Sequence, residues 1–265
     1  MQPACSSALL AAFLVVLAYS AVSCRGQLAN NYYAGKCGNF SVEAIIHDAV
    51  KARLAWDKRM VAGLLHLQFH DCFVACGGPS YQVQLGRRDG MVSQASMASI
   101  LPGPNVDVPT AIDLFGRKGI NALEMVSLMG AHTVGVTHCS VIHNRLFNYN
   151  GTGLPDPAMD PMYVWILTTF ACPKDQAYDN IVYLDDPSSI LLVDKSYYCQ
   201  IMKRHGVLSV DQALGDHNAT AWMVNFLATT DSFPSMFSQA LNKLAALDVL
   251  TGTAGEIRKN CRRTN

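Results

Sequence analysis

Apolar positions in this chain recur mainly at helical spacing. Between Phe40 and Arg59, the residues Val42, Ile45, Ile46, Ala49, Val50 and Leu54 form one stripe, which predicts an amphipathic helix. Gly63 to Val74 is denser, with Leu64, Leu65, Leu67, Phe69 and Phe73 and no breaker inside, and reads as a buried helix. His66 and His70 are set into it four residues apart, so both imidazoles share a face, and Asp71 and Cys72 follow at once. A buried helix rarely carries so many polar groups unless they have partners or chemistry to perform. Ala75-Cys76-Gly77-Gly78-Pro79 then breaks the pattern and predicts a loop.

Further along, the pattern predicts a short helix over 107–115 with Pro109 in its first turn. Asn121-Ala-Leu-Glu124 has the spacing of a capping box and opens a helix that ends near His132. Asp160-Pro161 opens another that runs to Phe170. One over 194–205 closes at Gly206, and one over 232–246 is amphipathic. Helices far outnumber convincing strands, and no repeat is present. The class is mainly α.

Composition refines this. Ala8 to Ala18 is an apolar run too short to span a bilayer, followed by small residues near Cys24 and Gly26. Residues 1–26 therefore read as a signal peptide, and 27–265 as one large domain or two small ones. Later apolar runs are interrupted, so no membrane anchor is expected. With 20 basic and 20 acidic side chains there is no electrostatic case for nucleic acid or an anionic membrane. Beyond the leader, cysteines stand at 37, 72, 76, 139, 172, 199 and 261. In a secreted chain these suggest disulfides, and their odd number leaves at least one without an intrachain partner. No CxxC occurs, which removes zinc-ribbon and thioredoxin readings. Asn39-Phe-Ser41, Asn150-Gly-Thr152 and Asn218-Ala-Thr220 are N-glycosylation sequons.

Two phrases carry a family resemblance. Phe69-His-Asp-Cys-Phe-Val74 resembles the distal helix of the plant secretory (class III) haem peroxidases, and Ser127-Leu-Met-Gly-Ala-His-Thr-Val-Gly135 resembles their proximal haem-ligand segment. Gly77-Gly-Pro-Ser-Tyr81 and Leu85-Gly-Arg-Arg-Asp-Gly90 match family phrases too, and Gln27-Leu28 fits the usual mature start. In the family a long helical segment separates the distal helix from those phrases. Here it is missing, around residues 74–77. The resemblance implies a plant-type haem peroxidase fold, truncated on the distal side.

It also implies a site. His132 is the haem iron ligand, with Asp211 accepting its other N–H and raising the imidazole's basicity. His70 is the distal histidine, which takes a proton from the peroxide oxygen nearer the iron and returns it to the leaving oxygen. His66 stands where the family has arginine; a shorter, largely neutral side chain there implies impaired peroxide cleavage. One haem b and calcium are the implied cofactors. For a proximal calcium, Thr133, Asp186, Ser189 and Asp194 match, with Asp185 an equal candidate for the first carboxylate. For a distal calcium only Asp71 and the Val74 carbonyl remain. Pro102 resembles the residue at the mouth of the aromatic-donor site. Cys139 and Cys172 match a family disulfide, while Cys37 and Cys261 match half-cystines whose partners are missing. Cys72 has Cys76 near its usual partner's place, and Cys199 matches nothing.

The expected function is thus a secreted monomeric peroxidase, cell-wall or vacuolar, that reduces hydrogen peroxide and oxidises phenolic donors in hydrogen peroxide catabolism and oxidative stress. The alternative is a weak or inactive secreted haem-binding protein from a shortened transcript. A zinc hydrolase using His66 and His70 fails because Leu67 stands where such enzymes need a glutamate base.

Overall fold

The computed structural model describes residues 28–56, 81–92, 94, 96, 101–175, 177–190, 192–260 and 263–265. The leader, the predicted helix over 63–74 with His66, His70, Asp71, Cys72 and Val74, and Cys76 and Cys261 lie outside the described residues.

The chain divides into two compact units. The smaller takes in 28–32, 84–94 and 248–265, and backbone pairing ties its three stretches together. Ala29 pairs with Leu85, Arg88 with Leu250, and Asp89 with Glu256. The Arg88 guanidinium reaches the carbonyls of Ala254 and Gly255. Gly255 has φ of +70°, and a Cβ there would run into the Asp89 carbonyl, so the position requires glycine.

The larger unit, 33–83 and 95–247, is built from helices. In chain order these are α1 (Val42–Trp56), α2 (Val108–Arg117), α3 (Ala122–Met129), α4 (Cys139–Phe147), α5 (Pro161–Ile166), α6 (Ser196–Met202), α7 (Ser209–Asp216), α8 (Ala221–Thr229) and α9 (Phe233–Ala245). A 3₁₀ turn, Gly130–Val134, continues α3, and a π turn, Leu167–Ala171, continues α5. Strands β1 (Val136–His138) and β2 (Ile181–Tyr183) pair antiparallel with Thr137 opposite Val182.

Local chemistry sets several of these starts. Asp107 caps α2 by accepting from the Thr110 amide, with Pro109 in the first turn. Asn121 and Glu124 form a reciprocal capping box on α3. Asp160 caps α5 through the Tyr163 amide.

One core joins α2, α3, α6, α8 and α9. Its centre is a ladder of buried rings in which Tyr197, Tyr198, Phe233 and Phe237 stack edge-on or tilted at 5.0, 5.1 and 5.6 Å. Such pairs contribute about 0.5–1.5 kcal/mol each beyond burial. A second core gathers Ile142, Leu146, Val164, Leu167, Val182 and Leu208 around the Cys139–Cys172 disulfide. Val106 and Met129 pack against both.

The structure departs from the pattern at α1. Its stripe is not buried: Ile45 and Ile46 are exposed, and Val50 packs against the first core.

Candidate functional site

His132 stands in the 3₁₀ turn that follows α3. The turn is possible because Gly130 lacks a side chain; a Cβ there would collide with the Phe233 ring and the Tyr198 hydroxyl. Asp211 comes from the first half of α7, which is docked on the Pro102–Asn105 loop. There Ser209 Oγ donates to Asn105 Oδ1 at 2.8 Å, and the Val210 amide donates to the Pro104 carbonyl at 3.2 Å. This docking brings Asp211 Oδ1 to 2.9 Å from His132 Nδ1.

A carboxylate can only accept, so Nδ1 carries the proton and the neutral ring keeps its lone pair on Nε2. Nε2 makes no hydrogen bond among the described residues. Burial works against the charged imidazole, yet the Asp211 carboxylate outweighs it and raises the His132 pKa above its ordinary value. The ring is 28 % exposed and borders a cavity of about 220 Å³. Pro102, Phe115, Met125, Met129, Leu208 and Leu214 make that cavity apolar. An N-donor bearing a lone pair beside an apolar wall fits the ligand side of a haem. The described residues therefore fit that group.

Sequence reasoning missed one member of this cluster. Tyr197 Oη donates to the same Asp211 Oδ1 at 2.8 Å, and its ring meets His132 edge-on at 5.9 Å.

A second cluster is assembled by the hairpin. Pairing of β1 with β2, extended by the Leu184 amide on the Gly135 carbonyl, carries Asp185 to the residue after His132. Thr133 Oγ1 donates to Asp185 Oδ2 at 2.6 Å, and Ser196 Oγ donates to the same oxygen at 2.5 Å. Ser189 Oγ is 2.7 Å from Ser196 Oγ. Thr133 Oγ1 also lies 3.1 Å from the Leu192 carbonyl and 3.4 Å from that of Asp194. Burial pushes the Asp185 carboxyl up, and Asp194 adds to this, against the hydrogen bonds from Ser196, Thr133 and the Asp186 amide. Asp186 is turned elsewhere, onto Gln200 Nε2 and Ser188. Thr133, Ser189 and Asp194 thus converge with Asp185, and Asp186 does not. No three His, Cys, Asp or Glu side chains converge as metal ligands among the described residues. The donors here are mostly hydroxyls and carbonyls, hard oxygens of the kind calcium takes.

Pro102 lines the His132 cavity. Cys139 and Cys172 are bonded, and Cys37 and Cys199 have no disulfide partner among the described residues. A wider polar cleft of about 770 Å³ lies beyond Val106 but does not include His132. No helix among the described residues is long and apolar enough to cross a membrane.

The family described as peroxidase matches residues 74–230. The chain is 33 % identical to Peroxidase 57 of Arabidopsis thaliana over 321 positions, covering 98 % of each chain. It is 33 % identical to Peroxidase 5 of Vitis vinifera over 318 positions, 95 % of each. Probable peroxidase 61 of Arabidopsis thaliana is 38 % identical over 208 positions, which cover 77 % of this chain and 61 % of that one. The 321 positions exceed the 265 residues of this chain by more than fifty, so a full-length alignment must open gaps here.

Proposed function

The chain belongs to the plant class III peroxidases, a family of haem enzymes, and on that premise we propose that it is secreted and reduces hydrogen peroxide at the expense of phenolic donors, with His132 as haem ligand. The observation that carries the reading is the His132–Asp211 pair at 2.9 Å beside an apolar cavity. Haem, when bound, supplies the redox centre at which peroxide is reduced. The chain's part on this side is to keep a proton on Nδ1 and a lone pair on Nε2, and to exclude water with Phe115, Met125, Met129 and Leu214. Pro102, on the same cavity, would border the donor's approach.

On the other side His70 would shuttle the peroxide proton, and His66 would stand in for the family's arginine. Thr133, Asp185, Ser189 and Asp194 would hold a proximal calcium, with Asp185 in place of Asp186 as first carboxylate. Asp71 and Val74 are what remains of a distal calcium shell. The absent segment would lie close to residue 74, where the family match begins. The leader-like residues 1–26, the Cys139–Cys172 bond and the three sequons support secretion; the destination in this reading is the cell wall or vacuole, and the protein a monomer. Hydrogen peroxide catabolism under oxidative stress is the corresponding role.

A second reading, a haem-binding protein with little turnover, is favoured by His66. The test is reconstitution with haemin and calcium, followed by rapid mixing with hydrogen peroxide. A Soret band that His132→Ala abolishes, and that changes on mixing with peroxide unless His70 is replaced by alanine, supports the enzyme. A Soret band inert to peroxide supports the binder. No haem uptake at all rejects both.

A further inference from the structure

Asp211 is wholly buried, and its two carboxylate oxygens are treated differently. Oδ1 accepts from His132 Nδ1 at 2.9 Å and from Tyr197 Oη at 2.8 Å, while Oδ2 is buried with no hydrogen-bond partner among the described residues. The two donors therefore compete for one oxygen, and between them they compensate a carboxylate cut off from water. A buried charge served by so few donors is sensitive to each of them.

We propose that Tyr197 is a positioning residue for His132: by sharing Asp211 Oδ1, it limits how strongly that carboxylate draws the imidazole proton. The potential readout below rests on His132 being the haem ligand; the sharing itself does not. When Tyr197 donates, Oδ1 is shared between two donors and its hold on the Nδ1 proton of His132 is weaker. Without the hydroxyl, Asp211 pulls harder on Nδ1–H, and Nε2 becomes a stronger donor to whatever it ligates.

Two further observations support this. Tyr197 is 1 % exposed, and burial together with the Asp211 charge holds its phenol well above the ordinary value, so it remains a donor throughout the working pH range. Its ring also meets the imidazole edge-on, at 86°, which restrains the plane in which Nε2 lies. The neighbouring Tyr198 has a different task, donating to the Val126 carbonyl at 3.0 Å.

The test compares the haem-loaded wild type with Tyr197→Phe, which keeps the ring. The ferric–ferrous midpoint potential should become more negative in the variant. The iron–histidine stretching frequency of the ferrous form should rise. A variant of unchanged far-ultraviolet circular dichroism and unfolding cooperativity in which neither quantity moves, or in which the potential rises, overturns the proposal. Should Tyr197→Phe fail to fold, 2,3-difluorotyrosine at 197 preserves the packing and strengthens the donor; the potential must then rise. In the haem-free chain, with ¹⁵N-labelled histidine, the His132 Nδ1 proton resonance should move downfield in Tyr197→Phe. An unmoved resonance overturns the sharing even if haem is never taken up. Absence of a Soret band in the wild type would instead reject the haem-ligand reading.

Discussion

Asp211 has no exposure, so its charge acts on His132 at close to full strength. Asp211→Asn keeps the shape and one acceptor oxygen but removes the charge. Burial alone then acts on His132, and its pKa should drop below the ordinary histidine value instead of rising above it. Loss of such an outer partner typically costs roughly 10–100-fold in metal affinity. Haemin titration of Asp211→Asn should show a weakening of about that size; affinity unchanged within twofold would remove Asp211 from the site. Gly130 makes a separate residue-scale prediction. Ala at 130 would force the Phe233 ring and the Tyr198 hydroxyl apart, and overpacking of this kind costs roughly 1–3 kcal/mol. Thermal unfolding should show it, and an unchanged midpoint would mean that the α3–α9 contact is loosely packed.

At the scale of elements, the hairpin ties the two clusters together. It sets Asp185 against Thr133, the neighbour in sequence of His132. In the calcium-free chain the raised Asp185 pKa favours folding with the carboxyl protonated. That contribution is present at low pH and is lost as pH rises through the folded value. Calcium takes the ionised form, so with calcium present the trend reverses, and removal by chelator should lower the unfolding temperature more at pH 7 than at pH 5. Asp185→Asn should abolish the difference between the two pH values, whereas Asp186→Asn should leave it. The opposite result would return the ligand role to Asp186.

The same element explains what could be read from sequence and what could not. The starts of α2, α3 and α5 were legible because Asp107, Asn121 with Glu124, and Asp160 satisfy amides within their own first turn. The helices α4, α7 and α8 have no side-chain cap at their starts and are held by packing, so no local signal announced them. The three-residue strands are equally silent. The choice between Asp185 and Asp186 depends on which residue follows the β2 register inward, a tertiary fact. The family phrases imply that His132 and Asp211 pair, and they lie 2.9 Å apart, whereas Tyr197 was not legible, because nothing in its spacing marks the oxygen it shares.

For the molecule as a whole, the question is whether a chain shorter than its relatives can still turn over peroxide. Relatives such as Peroxidase 57 align over 321 positions, yet this chain supplies 265 residues. The His132–Asp211 pair and its apolar cavity stand among the described residues, so haem uptake and peroxide chemistry become separable measurements. His66 decides the second. If it occupies the place of an arginine that stabilises charge on the departing oxygen, its loss should have slowed peroxide cleavage by roughly 100- to 1,000-fold. His66→Arg should then accelerate the bimolecular reaction with peroxide by a factor of that order while leaving haemin affinity unchanged, as stopped-flow absorption in the Soret region would show. An accelerated reaction would identify the substitution as the main brake on an otherwise complete enzyme. No acceleration, with haem bound, would place the deficit outside His66, at the gaps that the alignment with longer relatives opens here, and make haem binding, not turnover, the property this chain retains.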